Sequence, residues 1–152
     1  MHYERMKDVE KKSIWEQVRR NAVALISLAV ALSALSYNTW RNEKSETNRN
    51  HRQAAFEILS KLNQLQQVVF HRRYDNDETD RGNPRLGWTI VLTIVDLSEL
   101  LEPPMPEKAQ MLRATWGSNW EDLGDEQLSV DTVLGSVDMM RGETLHLLRS
   151  LE

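Results

Sequence analysis

The chain has 152 residues and a formal net charge of −4, with basic and acidic residues interleaved. It is therefore long enough for one ordinary domain plus at most an appendage, and it lacks the basic stripe that a nucleic-acid partner requires. Cysteine is absent, which excludes disulfides, thiolate metal sites and cysteine nucleophiles without choosing a compartment. Six Gly and four Pro leave no low-complexity linker, and no segment repeats at a solenoid period.

The first element in chain order is Asn21–Trp40, which carries no formal charge. Ala22, Leu25, Ile26, Leu28, Val30, Leu32 and Leu35 make it apolar all round; Ser27 and Ser33 are compatible with a helix because a serine hydroxyl can bond back one turn. The strictly apolar part, 22–35, is shorter than the roughly 20 residues that cross a bilayer core. Its flanks supply the missing length. Trp15 on one side and Tyr37 with Trp40 on the other suit the headgroup level, and Arg19, Arg20, Arg41 and Lys44 can snorkel to the two surfaces. At about 1.5 Å per residue, Trp15 to Trp40 spans roughly 38 Å, the hydrocarbon core plus part of each interface.

These features predict an uncleaved transmembrane signal-anchor over 21–40, a short cytoplasmic tail over 1–20 and a soluble helical bundle over 41–152. A core helix of a soluble domain is ordinarily amphipathic, which this segment is not. A cleavable signal peptide is the stronger rival, because Ala34–Ser36 has a small-x-small form. Against cleavage, the preceding tail includes Glu4, Asp8, Glu10 and Glu16, whereas signal n-regions are short and positive. Lys7, Lys11, Lys12, Arg19 and Arg20 precede the span, against Arg41, Lys44, Arg49 and Arg52 after it. The paired arginines at the membrane favour a cytoplasmic N-terminus, and in a bacterial inner membrane the C-terminal domain is then periplasmic. Ala24, Ser27 and Ala31 are spaced for close pairing of two spans.

Beyond the span the pattern turns amphipathic. Ala55, Ile58, Leu62, Leu65 and Val69 recur at steps of three and four, and no Gly or Pro separates them from the apolar segment, so one helix can run through both and end near His71–Tyr74. The run from Asp75 to Asn83 reads as an exposed loop. Asn83 and Pro84 give start signals for a second helix, lined by Leu86, Ile90, Ile94, Leu97 and Leu101. Thr89–Val95 is rich in β-branched residues, which makes a strand the alternative there. A third helix opens at Pro106 or Glu107, carries Leu112, Trp116, Trp120 and Leu123 on one stripe, and is capped by Gly124; Gly117 and Ser118 weaken its middle. The last helix begins near Ser129, with Val130, Val133, Val137, Met140, Leu147 and Leu151 on its apolar face and Gly135 and Gly142 one heptad apart. The expected fold is all-α: an N-terminal transmembrane helix followed by a bundle of about four helices, with short connections favouring antiparallel neighbours.

No motif names a chemistry. His2, His51, His71 and His146 lack metal-ligand spacing. The acidic run from Asp75 fails as a calcium loop, since its sixth position is Asp80 and its twelfth Leu86. No phosphate loop or nucleophile elbow occurs. The expectation is a non-enzymatic protein with no cofactor and no metal, whose partners are the lipid bilayer and either another protein or a second copy. Arg72, Arg73, Tyr74, Trp88, Trp116 and Trp120 are the candidate contacts, because arginine and aromatic side chains dominate interfaces; the first reading of the three tryptophans is core packing, and that of the loop plain solvation. The first functional expectation is therefore an interaction, scaffold or accessory module for a membrane complex. The second is a sensory or ligand-binding membrane module that signals through a partner, since the tail is too short for an output domain; a free helical binding protein follows if the N-terminal segment is removed. An exposed tryptophan patch favours the first, and a deep pocket with converging polar groups the second.

Overall fold

In the computed structural model, residues 2–151 are described, with their side chains from 15 to 151. Four α-helices and one 3-10 turn follow in order: α1 (His2–Tyr74), α2 (Pro84–Ser98), α3 (Met105–Asn119), the turn Asp122–Gly124, and α4 (Gln127–Ser150). No strand occurs among the described residues, so Thr89–Val95 is helical despite its β-branched side chains. The 15 residues of α2 exceed an ordinary strand, and the start signals hold: Asn83 Oδ1 accepts the Arg85 N–H at 3.0 Å, with Pro84 at the first helical position. A division into two compact units falls between Glu46 and Thr47.

Within the second unit the predicted stripes meet. Ala55, Ile58, Leu62, Leu65 and Val69 of α1 are fully buried, together with Val91 and Ile94 of α2, Ala109, Leu112 and Trp116 of α3, and Val130, Val133 and Val137 of α4. Each set recurs at three- and four-residue steps, which places it on one helical face, and burying those faces together is what holds the bundle. Polar bonds fix the register of α4 against α1. Arg141 Nη1 and Nη2 donate to Asn63 Oδ1 and Gln66 Oε1 at 2.7 and 2.9 Å, Arg52 donates to the Leu151 carbonyl, and Arg73 Nη1 donates to the Gly124 carbonyl at 2.7 Å. The ascending numbers on one helix meet descending numbers on the other, so the two are antiparallel.

Helices α2 and α3 are keyed by two glycines. A Cβ at Gly87 would land on the Trp116 ring, and one at Gly117 would lie 3.3 Å from Trp88 Cη2. The pair Gly87-Trp88 on one helix and Trp116-Gly117 on the other is thus reciprocal, each ring filling the notch left by the opposite glycine. Gly117 therefore seats a tryptophan where the sequence suggests only a weak point.

The third helix is shorter than its stripe predicts. It ends at Asn119, whose Nδ2 donates to the Thr115 carbonyl at 2.8 Å, and such a side-chain bond competes with the helical ladder. Leu123 reaches the core from the 3-10 turn, and Gly124 belongs to that turn and does not cap α3. The last helix starts at Gln127, two residues before the expected Ser129.

Candidate functional site

The apolar segment stands bare in the chain. From residue 15 to 46 every side chain is exposed except half-buried Ala22, and Val23, Ile26 and Leu35 are 76%, 63% and 64% exposed. Among the described residues, α1 is the one helix long and apolar enough to cross a membrane by length and composition. At its C-terminal flank the rings of Tyr37 and Trp40 lie 6.1 Å apart, with Lys44 Nζ 5.6 Å from the Trp40 centroid. Thr39 Oγ1 donates to the Leu35 carbonyl at 3.0 Å, satisfying its hydroxyl within the helix. Trp15, Arg19, Arg20 and Arg41 are exposed at the two flanks, as are Ala24, Ser27 and Ala31 between them. Expectations that fall on residues 1–14, the charged tail among them, lie outside the described side chains.

The loop after α1 is organised around Asp77. Its Oδ1 accepts the N–H groups of Thr79 and Asp80, both at 3.0 Å, and its Oδ2 those of Arg81 and Gly82 at 2.9 and 3.2 Å. The Asp80 N–H and then that of Thr79 do most to hold the carboxyl down, from 3.8 to about 2, with Gly82 and Arg81 adding less and partial desolvation opposing. Four donors thus fill the carboxylate that a calcium loop would need for its ion. Gly82 is required here, because a Cβ would run into the Asp77 carbonyl and the backbone of His71 and Arg72.

Of the six candidate contact residues, the structure exposes one. Tyr74 is 67% exposed and lies 6.0 Å from the Phe70 ring. Trp116 is fully buried, which is the core reading of that residue and removes it from the candidate contacts; its spacing with Leu112 puts it on the inward face of α3. Trp88 and Trp120 are half-buried and pack against the core. The Arg72 side chain is only 11% exposed: its guanidinium would collide with a Cβ at Gly124, and its Nη1 lies 2.7 Å from Glu78 Oε1 without hydrogen-bond alignment. Arg73 is spent on Gly124 and Gln127. The arginines therefore pin the end of α1 to the loop and to the start of α4.

A different surface is exposed. The protein has two phenylalanines, and both face solvent on α1, Phe56 at 61% and Phe70 at 39%. Position for position, the whole series 49, 53, 56, 60, 63, 67, 70 and 74 is exposed, opposite the buried stripe. The signal was present in the sequence as a second three- and four-residue series out of phase with the core, but polar Gln53, Ser60, Asn63 and Gln67 mask it. Open clefts flank this part of α1. One of about 640 Å³ is lined by Asn50, Gln53, Ala54, Glu57, Leu97 and Leu100, and another of about 380 Å³ by Gln67, Phe70, His71, Tyr74 and Asp75. Among the described residues no three metal-ligating side chains gather. No family model, curated protein or solved structure matches the chain.

Proposed function

We propose that the chain is a single-pass membrane protein without catalytic activity, anchored by 21–40, whose helical domain serves as an interaction or scaffold module in a membrane complex. The observation that carries this reading is the uncovered segment: Val23, Leu25, Ile26, Leu28, Val30, Leu32 and Leu35 are all more than half exposed. Apolar surface on every side of a helix calls for an apolar surrounding, and aromatic and basic flanks at both ends suit the two interfaces of a bilayer. Paired Arg19 and Arg20 favour a cytoplasmic N-terminus and, in a bacterial inner membrane, a periplasmic domain. An interaction role is supported by the exposed Phe56, Phe70 and Tyr74 on a helix whose opposite face is already used by the core.

The test is a full chain with a C-terminal tag, expressed in a Gram-negative host. Retention in carbonate-washed membranes at full mass, with the tag digested by protease added to spheroplasts, is the expected result. A soluble product beginning near Tyr37 would show the segment to be a removed signal, and a tag protected in spheroplasts but digested after lysis would reverse the orientation.

A further inference from the structure

Between α1 and α2 lies an open cleft of about 450 Å³. Gln64, Gln67, Val68 and His71 line it at three- and four-residue steps along α1, and Leu86 and Ile90 line it one turn apart on α2. Val68 and Ile90 are 2% and 5% exposed and give the cleft an apolar floor, with Leu86, 46% exposed, at its edge. Arg81, from the loop that joins the two helices, completes the lining.

That loop fixes Arg81 by its backbone. Asp77 Oδ2 accepts the Arg81 N–H itself at 2.9 Å, and the N–H groups of Thr79, Asp80 and Gly82 are held on the same carboxylate. The guanidinium, by contrast, has no bonded acceptor among the described residues. None of the residues lining the cleft is acidic. His71 is engaged by Asp75, Nδ1 to Oδ2 at 2.5 Å, which leaves Arg81 as the one charge in the lining without a partner.

We propose that this cleft binds a small monocarboxylate with an apolar body, the carboxylate on the Arg81 guanidinium and the Gln67 amide, and the body along Val68, Leu86 and Ile90. The site goes beyond the membrane-anchored reading and does not rest on it. A guanidinium presents parallel N–H donors that match the two oxygens of a carboxylate. A dianion such as a phosphate monoester calls for more donors than one arginine and one amide supply, and the loop's own N–H groups are already spent on Asp77. From Gln64 to His71 the cleft follows α1 for about 10 Å, and its volume falls in the range of small-molecule sites. A ring or a chain of several carbons therefore fits beside the charge.

Three other clefts lack this combination. No Lys or Arg lines the one of about 640 Å³, and its Glu57 pairs with Lys61 at 3.5 Å. The one beside Phe70 and Tyr74 is lined by Asp75. A cleft of about 540 Å³ at the start of α2 carries its own anions, Glu78 at 2.7 Å from Arg72 and Glu121 in the same lining as Arg85.

The test is fluorine NMR of para-fluorophenylbutyrate with the full chain in zwitterionic detergent, with empty micelles as background and the uncharged para-fluorophenylbutyramide as comparison. An open cleft covers its ligand only in part, so saturable binding of the carboxylate with a Kd on the order of 0.1–1 mM is expected, about tenfold tighter than that of the amide. Arg81→Gln should weaken carboxylate binding by about tenfold and erase the difference between the two probes. Arg85→Gln, the same change of charge outside this cleft, should leave both affinities as they are. Arg81 is exposed, so its exchange spares the packing, which near-ultraviolet circular dichroism checks; the amide comparison needs no variant. Carboxylate binding no greater than to empty micelles, equal affinity for the amide, or equal losses in Arg81→Gln and Arg85→Gln overturns the proposal. Carbonate extraction reads the anchor separately, so either reading can fail without the other.

Discussion

Replacing Gly87 by Ala should destabilise the bundle, although the same exchange in α4 should stabilise it. On helix propensity alone Gly→Ala is worth about 0.8–1 kcal/mol in a helix interior. At Gly87 the new methyl lands on the ring of Trp116, which is fully buried and so cannot swing out without leaving the core. Overpacking of this kind costs about 1–3 kcal/mol, and the forced overlap with an indole puts the site toward the upper end. The net expectation is a loss of about 1–2 kcal/mol. Gly135 in the interior of α4 meets nothing within 4 Å, so Gly135→Ala keeps the propensity gain of about 0.8–1 kcal/mol. For a unit of this size the two variants should differ by about 10 °C or more in thermal midpoint. Near-ultraviolet circular dichroism of the full chain in detergent is the assay, since it reads the packed tryptophans and ignores the backbone of the apolar segment. A Gly87→Ala protein as stable as Gly135→Ala would refute the glycine–tryptophan keying of α2 and α3.

Leu62→Ala removes a fully buried side chain at the centre of the α1 stripe and should cost about 2–5 kcal/mol in denaturant unfolding, through lost burial and the cavity left behind. Asp77 ionises more readily folded than unfolded, its carboxyl lowered from 3.8 to about 2. The folded state therefore binds fewer protons in that interval: the stabilisation is complete above the unfolded value and is lost as pH falls through about 2. Asp77→Asn should flatten this acid limb and speed amide exchange at Thr79, Asp80, Arg81 and Gly82, both readable by proton exchange and acid titration. Leu28→Arg places a charge at the middle of the proposed span, an insertion penalty of about 2.5–3.5 kcal/mol, and should shift part of the chain out of the carbonate-resistant fraction. Unchanged membrane retention of that variant would count against a span centred near Leu28.

The helices were legible because their inward faces obey one rule. The stripes through Ile58, Ile94, Leu112 and Val133 could be counted from the sequence, and all four residues are fully buried. Asn83 and Pro84 announced a helix start through local chemistry that no tertiary contact had to supply. What could not be counted depends on neighbours in space. Nothing local to Gly87 or Gly117 names the tryptophan that will fill its notch, and nothing near Asp77 tells that its carboxylate will collect four successive backbone donors. Arg72 and Arg73 looked like contact residues by type, but two arginines at the end of a helix also suit the carbonyls and carboxylates of whatever packs there, and here the turn at Gly124 and the loop at Glu78 take them. The exposed series through Phe56 was hidden because its period equals that of the core stripe and five of its eight members are polar.

The arrangement of apolar residues changes along α1 across the charged stretch from Arg41 to Arg52. After it, one stripe is buried by the other helices; before it, Val23, Leu25, Ile26, Leu28 and Leu35 are spread around most of the helix and none is covered. Burying one such side chain is worth about 1.5–3 kcal/mol, so leaving these five in water forgoes roughly 7–15 kcal/mol, the size of a whole domain's stability. An external cover is therefore needed on every face. A partner protein would have to ensheath the helix, whereas a bilayer does so by its nature and also accounts for the placement of Trp15 with Arg19 and Arg20 at one end and Tyr37, Trp40 and Arg41 at the other. The proposed anchor follows from that difference in surroundings: a bilayer would satisfy the first half of α1 without specificity, whereas the second half is satisfied by specific packing of its stripe against α2, α3 and α4.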